Sequence, residues 1–135
     1  MRLPFPFENA NIRPRRRATT IRTHEGAITL AQILIIEDEE LLAKSLARYL
    51  TGREHECIIA GSAEEGLKSL ERMQMDLILL DLQLPGMSGI DAIKKLREQD
   101  PNLVVIITTA HGTMAAAVDA MRFGASDFLR KPLDM

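Results

Sequence analysis

Four consecutive apolar residues, Leu77 to Leu80, run directly into Asp81, and a loop with Pro85 and Gly86 follows before Ser88-Gly89 opens an amphipathic segment. A short run that is apolar at every position and bounded by turn residues is the pattern of a strand buried on both faces. Such strands belong to parallel α/β sheets. In those folds ligands and chemistry gather beyond the carboxyl ends of the strands, which is where Asp81 stands. The stretch predicts a carboxylate that projects from the sheet edge rather than into the core.

The same pattern recurs along the chain. Ile33-Leu34-Ile35-Ile36 is another buried run, and it ends in four acids, Glu37-Asp38-Glu39-Glu40. Leu41, Leu42, Leu46, Tyr49 and Leu50 then return at helical spacing, with Gly52 placed as a C-terminal stop. Cys57 to Ala60 reads as a strand. Ser62 with Glu65 has the form of a capping box and starts a helix with Leu67 and Leu70 inward. Ile90, Ile93 and Leu96 mark a helix that Pro101 terminates, and Leu103 to Ile107 is a β-branched strand leading into Thr108-Thr109-Ala110. Met114, Ala117, Val118 and Met121 form a helical stripe, read as core packing and closed by Gly124. A short strand around Asp127 to Leu129 leads to Lys131-Pro132. Strands alternating with helices of this size specify βαβ units. The fold class is α/β, a doubly wound five-stranded parallel sheet.

A chain of 135 residues suits one domain with a proper core. No apolar run approaches the roughly 20 residues of a membrane span. The single cysteine, Cys57, excludes an intrachain disulfide and a multi-cysteine metal site, and within CIIA it reads as a buried strand thiol. The expected compartment is the cytoplasm. The net charge of −2 hides a division. Residues 1–32 hold six arginines against Glu8 and Glu25, a surplus of four positive charges, and the remainder holds 11 basic and 17 acidic residues, a net of −6. Pro4, Pro6, Pro14 and the run Arg15-Arg16-Arg17, without a sustained apolar period, describe residues 1–30 as a basic, disordered arm. A nucleic-acid role for it lacks interleaved aromatics. The folded domain is expected over 31–135.

In a parallel sheet, Glu37-Asp38, Asp81, Thr108-Thr109 and Lys131 all lie at one edge. Carboxylates ~5 Å apart repel by roughly 3 kcal/mol at an effective dielectric near 20, so such a cluster needs protons or a cation. Hard oxygen ligands without sulfur or paired imidazoles favour Mg²⁺. A carboxylate beside that ion is a poor base but can attack phosphorus, with Lys131 and Thr109 placed to hold the phosphoryl oxygens. His111 has no apparent partner and reads as solvated; His24 and His55 carry less signal still. Thr108 faces away from Thr109 by strand alternation and reads as packing.

The ILIIEDEE, ILLDLQLPGMSG, TAHG and KP signatures resemble the receiver domain of bacterial two-component response regulators, over about residues 33–135. The resemblance implies a flavodoxin-like fold in which Asp81 is the phosphoacceptor. It implies Mg²⁺ held by Asp38, with Glu37, by Asp81 and by the backbone carbonyl of Gln83. Thr109 matches the switch hydroxyl, Lys131 the family lysine, Phe128 the aromatic switch position, and Lys131-Pro132 a peptide bond usually cis. Phe128 as sheet-edge packing is an equal reading. The segment from His111 to Pro132 looks most like receivers of the nitrogen-regulation type, which control enhancer-binding transcription activators. Implied partners are a sensor histidine kinase, a homodimer mate and a downstream output domain outside this chain. Nucleic acid is reached only indirectly, and the domain is no enzyme beyond promoting its own phosphorylation and dephosphorylation.

Two departures stand out. Glu37 replaces a first acid that is often Asp, which implies tuning through its longer side chain. Receivers also continue from Lys-Pro into a fifth helix, whereas this chain stops at Met135; the expectation is a C-terminally cut fragment of a longer regulator, with one sheet face losing apolar cover unless the arm or a second copy supplies it. Three rival readings follow. A haloacid dehalogenase-like phosphatase needs an acid two residues beyond its nucleophile, where Gln83 stands. A flavodoxin-like cofactor binder would place flavin phosphate against an acidic loop. A receiver-like interaction module that never takes phosphate stays open.

Overall fold

The computed structural model describes residues 20–23, 26–29, 31–110 and 114–133. Two short strands, β1 (Thr20–Thr23) and β2 (Gly26–Thr29), pair antiparallel as a hairpin apart from the main sheet. The sequence reading anticipates no element before Ala31. From there the chain alternates β3 (Gln32–Ile36), α1 (Glu40–Thr51), β4 (Glu56–Ala60), α2 (Ala63–Arg72), β5 (Leu77–Asp81), α3 (Gly89–Gln99), β6 (Val104–Thr109), α4 (Met114–Arg122) and β7 (Asp127–Arg130).

The five strands from β3 onward form one parallel sheet in the order β4-β3-β5-β6-β7. The order reverses between β3 and β5, and a crevice opens there beyond their carboxyl ends. All five residues of β5 are buried, as its apolar run requires. Alternation along the strands divides the core. Leu34, Ile36, Ile78, Leu80, Val105 and Ile107 pack in one cluster with residues of α2, α3 and α4. Ile33, Ile35, Leu77, Leu79, Ile106 and Leu129 pack in the other with Ala43, Leu46 and Leu50 of α1.

Four helices accompany the sheet among the described residues. The face expected to lose cover nevertheless keeps Ile106 and Leu129 buried, and Leu133, just past Pro132, packs against their cluster with Val104.

Helix ends follow local chemistry. The Ser62 hydroxyl accepts from the Glu65 N–H at 3.1 Å, half of the expected capping box. The Glu65 carboxylate reaches one residue further back, to the N–H of Gly61 at 3.0 Å. Ser88 caps α3 by accepting from Asp91 N–H at 3.1 Å. At the end of α4, Gly124 N–H donates to Met121 O and Ala125 N–H to Ala120 O, with φ of +116° at Gly124; this is a Schellman closure that glycine alone adopts easily.

Two local expectations are corrected. Leu41 is 78% exposed, and Ala43 takes the inward position, because α1 turns its Ala43–Leu46–Leu50 stripe to the sheet. In α4 the buried pair is Ala117 and Ala120, while Val118 and Met121 are exposed, because the helix turns its Ala117–Ala120 edge to the core cluster. Gly52 does cap α1 but stays right-handed, and the positive φ, 71°, falls on Glu54.

Candidate functional site at the carboxyl edge of the sheet

The strands end level. Asp81 is in register with Thr108, and Thr109 with Arg130. The chain leaving each strand remains pinned to its neighbour: Glu37 N–H donates to Ala60 O (3.1 Å), Leu82 N–H to Thr108 O (3.1 Å) and Lys131 N–H to Thr109 O (2.8 Å). These bonds set where the functional side chains emerge.

Three carboxylates meet in the crevice. Glu37, Asp38 and Asp81 each present an oxygen within 4.8 Å of the others. Glu37 and Asp81 are buried, 3% and 4% exposed, whereas Asp38 faces solvent. Asp81 therefore sits inside the rim rather than projecting from the edge as the sequence suggests. The cause lies in the loops and Lys131 that surround the strand end. The Lys131 ammonium donates to Glu37 Oε1 at 2.7 Å and lies 3.3 Å from Asp81 Oδ2. Asp81 Oδ1 accepts from the Gln83 N–H at 3.0 Å, and Glu37 Oε2 from the Glu39 N–H at 3.3 Å.

The electrostatics follow from that packing. Glu37 is pushed up from 4.5 to about 7. Burial is the largest cause; Lys131 pulls it down, and the adjacent Asp81 pushes it up through its hydrogen bond and charge. For Lys131, burial works against the ammonium, but Glu37 and Asp81 together more than offset this and hold it above its ordinary value. Among the described residues Lys131 thus pairs with two of the three clustered acids. An all-oxygen donor set with this charge deficit fits a hard divalent cation that keeps part of its water shell. Glu37, Asp38 and Asp81 are grouped so that they could hold one.

The remaining expected residues fall as follows. Thr109 is fully buried at the end of β6, its hydroxyl donating to Ala110 O at 3.4 Å. Gln83 lies in the β5–α3 loop, where its N–H is bonded to Asp81. Phe128 is half-buried and packs against the cluster shared by α2, α3 and α4. Thr108 is buried beside Asp81 in the register. The Lys131-Pro132 bond is cis. His111 and His24 lie outside the described residues. His55 is far from the site in sequence and accepts from the Ala31 N–H at the opposite end of β3.

Sequence reasoning missed two supports. Gly89 lets α3 start against the loop after Asp81, since a Cβ there would meet Leu82 Cδ2 at 2.5 Å. Arg97, on a polar stretch without periodic signal, braces the loops at the far end of the sheet.

A parallel sheet reversing at its centre, with an acidic crevice and one lysine beyond the reversal, defines an α/β protein of the flavodoxin-like type. Residues 33–135 match the response regulator receiver domain, and the chain belongs to that family. It is 40% identical over 100 residues to the regulatory protein LuxO of Vibrio cholerae, which covers 74% of this chain and 22% of that protein. It is 39% identical over 101 residues to the DNA-binding transcriptional regulator NtrC of Klebsiella pneumoniae, covering 75% and 22%. Among solved structures, a receiver domain protein from Clostridium thermocellum aligns with a TM-score of 0.74 at 34% identity, over 78% of this chain and 85% of that one. NtrX from Brucella abortus aligns with a TM-score of 0.76 at 31% identity, over 78% and 24%. NtrC and NtrX among these relatives agree with the nitrogen-regulation resemblance. The chain spans about a fifth of the length of the curated relatives it matches. No described helix is long and apolar enough to cross a membrane.

Proposed function

We propose that this domain is a phosphorylation-switched receiver in which Asp81 accepts a phosphoryl group from the phosphohistidine of a sensor histidine kinase. The supporting observation is the placement of Asp81, buried at the end of β5 within reach of Glu37 and Asp38 and 3.3 Å from Lys131. An Asp81 carboxylate oxygen attacks phosphorus, the P–N bond breaks, and its electron pair returns to the imidazole.

Glu37, Asp38, Asp81 and the Gln83 carbonyl would hold Mg²⁺, which when bound supplies positive charge against the incoming phosphoryl oxygens. Lys131 turns its ammonium toward the same oxygens, and the Thr109 hydroxyl gives up Ala110 O to reach them. The Phe128 side chain then shifts as well. The change at α4 and β7 biases homodimerisation or an output domain beyond this chain, so that nucleic acid is reached only indirectly; a relative described as a DNA-binding transcriptional regulator, far longer than the matched region, supports this output. The reaction belongs to a cytoplasmic pathway, and the domain turns over no substrate besides its own phosphoaspartate.

The test is intact mass after incubation with acetyl phosphate, with and without Mg²⁺, alongside Asp81→Asn. One Mg²⁺-dependent phosphoryl adduct, absent from Asp81→Asn, is expected. Folded protein that takes no adduct would instead be a receiver-like interaction module.

A further inference from the structure

The end of the sheet opposite the carboxylates is organised around Arg97 of α3. Its Nε donates to Gly124 O at 2.8 Å, and its terminal nitrogens reach Gly124 O, Leu103 O, Pro101 O at 3.4 Å and the Ser126 hydroxyl at 3.4 Å. Ser126 is in turn fastened to the start of β6: its N–H donates to Val105 O at 2.7 Å and its hydroxyl accepts from Val105 N–H at 3.0 Å. One planar, fixed fork therefore staples α3, the α3–β6 loop and the α4–β7 turn together. By contrast, the buried residues of α4 are the alanines Ala117 and Ala120, and no larger side chain of α4 joins the core cluster as Leu67 and Leu70 of α2 do. Helix α4 is held firmly at Gly124 and lightly elsewhere.

We propose that Arg97 is the fixed pivot of the switch. It allows α4 to swing only about Gly124, so that a change at Thr109 moves the amino-terminal end of α4 while β7, which carries Phe128 and leads into Lys131, keeps its register on β6. This rests on the phosphoacceptor reading above.

The experiment is residue-resolved amide exchange by NMR on the whole chain, wild type against Arg97→Met and Arg97→Lys, before and after acetyl phosphate with Mg²⁺, with the adduct followed by mass. In the wild type, phosphorylation is expected to change exchange at Met114–Ala117 and leave Gly124–Asp127 unchanged. Before phosphorylation, Arg97→Met should speed exchange at Ala125 and Ser126 by at least about tenfold, a scale set by the loss of charge-assisted hydrogen bonds. After phosphorylation, the change should spread into Gly124–Asp127. Lysine should rescue part of both effects, and it carries the same comparison if Arg97→Met fails to fold. Equal responses at the two ends of wild-type α4, or unaltered exchange in the variants, overturn the pivot alone. A wild-type chain that takes no adduct overturns the phosphoacceptor reading and removes the pivot's role with it.

Discussion

The ammonium of Lys131 stands closer to Glu37 (2.7 Å) than to Asp81 (3.3 Å), so the lysine is shared by two buried acids and weighted toward the one that is not the proposed phosphoacceptor. In the metal-free protein Lys131 is therefore a structural counter-charge as well as a prospective phosphoryl ligand. Lys131→Met leaves two buried carboxylates without a cation. At pH 7 and without Mg²⁺ it should cost about 3 kcal/mol of stability, the lower end expected for breaking a buried ion pair. Urea unfolding checks this, and added Mg²⁺ should recover a large part of the loss. Unchanged stability would mean that the acids are not paired in solution.

Glu37 makes the apo protein sensitive to pH. Its carboxyl titrates near 7 in the folded chain and near 4.5 when unfolded. Between those values the folded state binds the extra proton, so stability falls as pH rises from about 4.5 to 7 and levels off above. Mg²⁺ competes with that proton, so its affinity should gain up to about tenfold per pH unit below about pH 6 and level off above about 7. Urea midpoints over a pH series, with and without Mg²⁺, report both slopes. In Glu37→Gln both should flatten, and a flat wild-type curve would contradict the assignment.

Gly66 marks the tightest contact between α2 and the sheet. A Cβ there would lie 2.4 Å from Ile36 Cδ1 and 2.8 Å from its Cγ1. Gly66→Ala gains about 1 kcal/mol of helix propensity but must displace a buried isoleucine, which costs about 1–3 kcal/mol. A net loss near 1 kcal/mol is expected. Combining it with Ile36→Val, which removes Cδ1, should make the pair less costly than the two single changes added together, as read in a double-mutant cycle. Strict additivity would show that α2 shifts instead.

Much of this was legible in the chain. The uniformly apolar runs Ile33–Ile36 and Leu77–Leu80 could be satisfied only by burial on both faces, and the acids that follow them had to share one edge. Periodicity failed where packing is local. In α4 the sequence offers Met114, Ala117, Val118 and Met121 as an inward stripe, but of these only Ala117 is buried, together with Ala120, while Val118 and Met121 are exposed. In α1 the same blindness placed Leu41 inward, although Ala43 fits there.

The sequence by itself determined the parallel sheet, the order of its elements and the residues gathered at its carboxyl edge, because hydrophobic period and turn chemistry are local properties of the chain. Only the tertiary structure decided that Lys131 pairs first with Glu37, that Asp81 is sunk below the rim, and that Arg97 binds the far end of α4. Each of those joins residues from different strands or helices, and its distance depends on register and packing that no local pattern encodes.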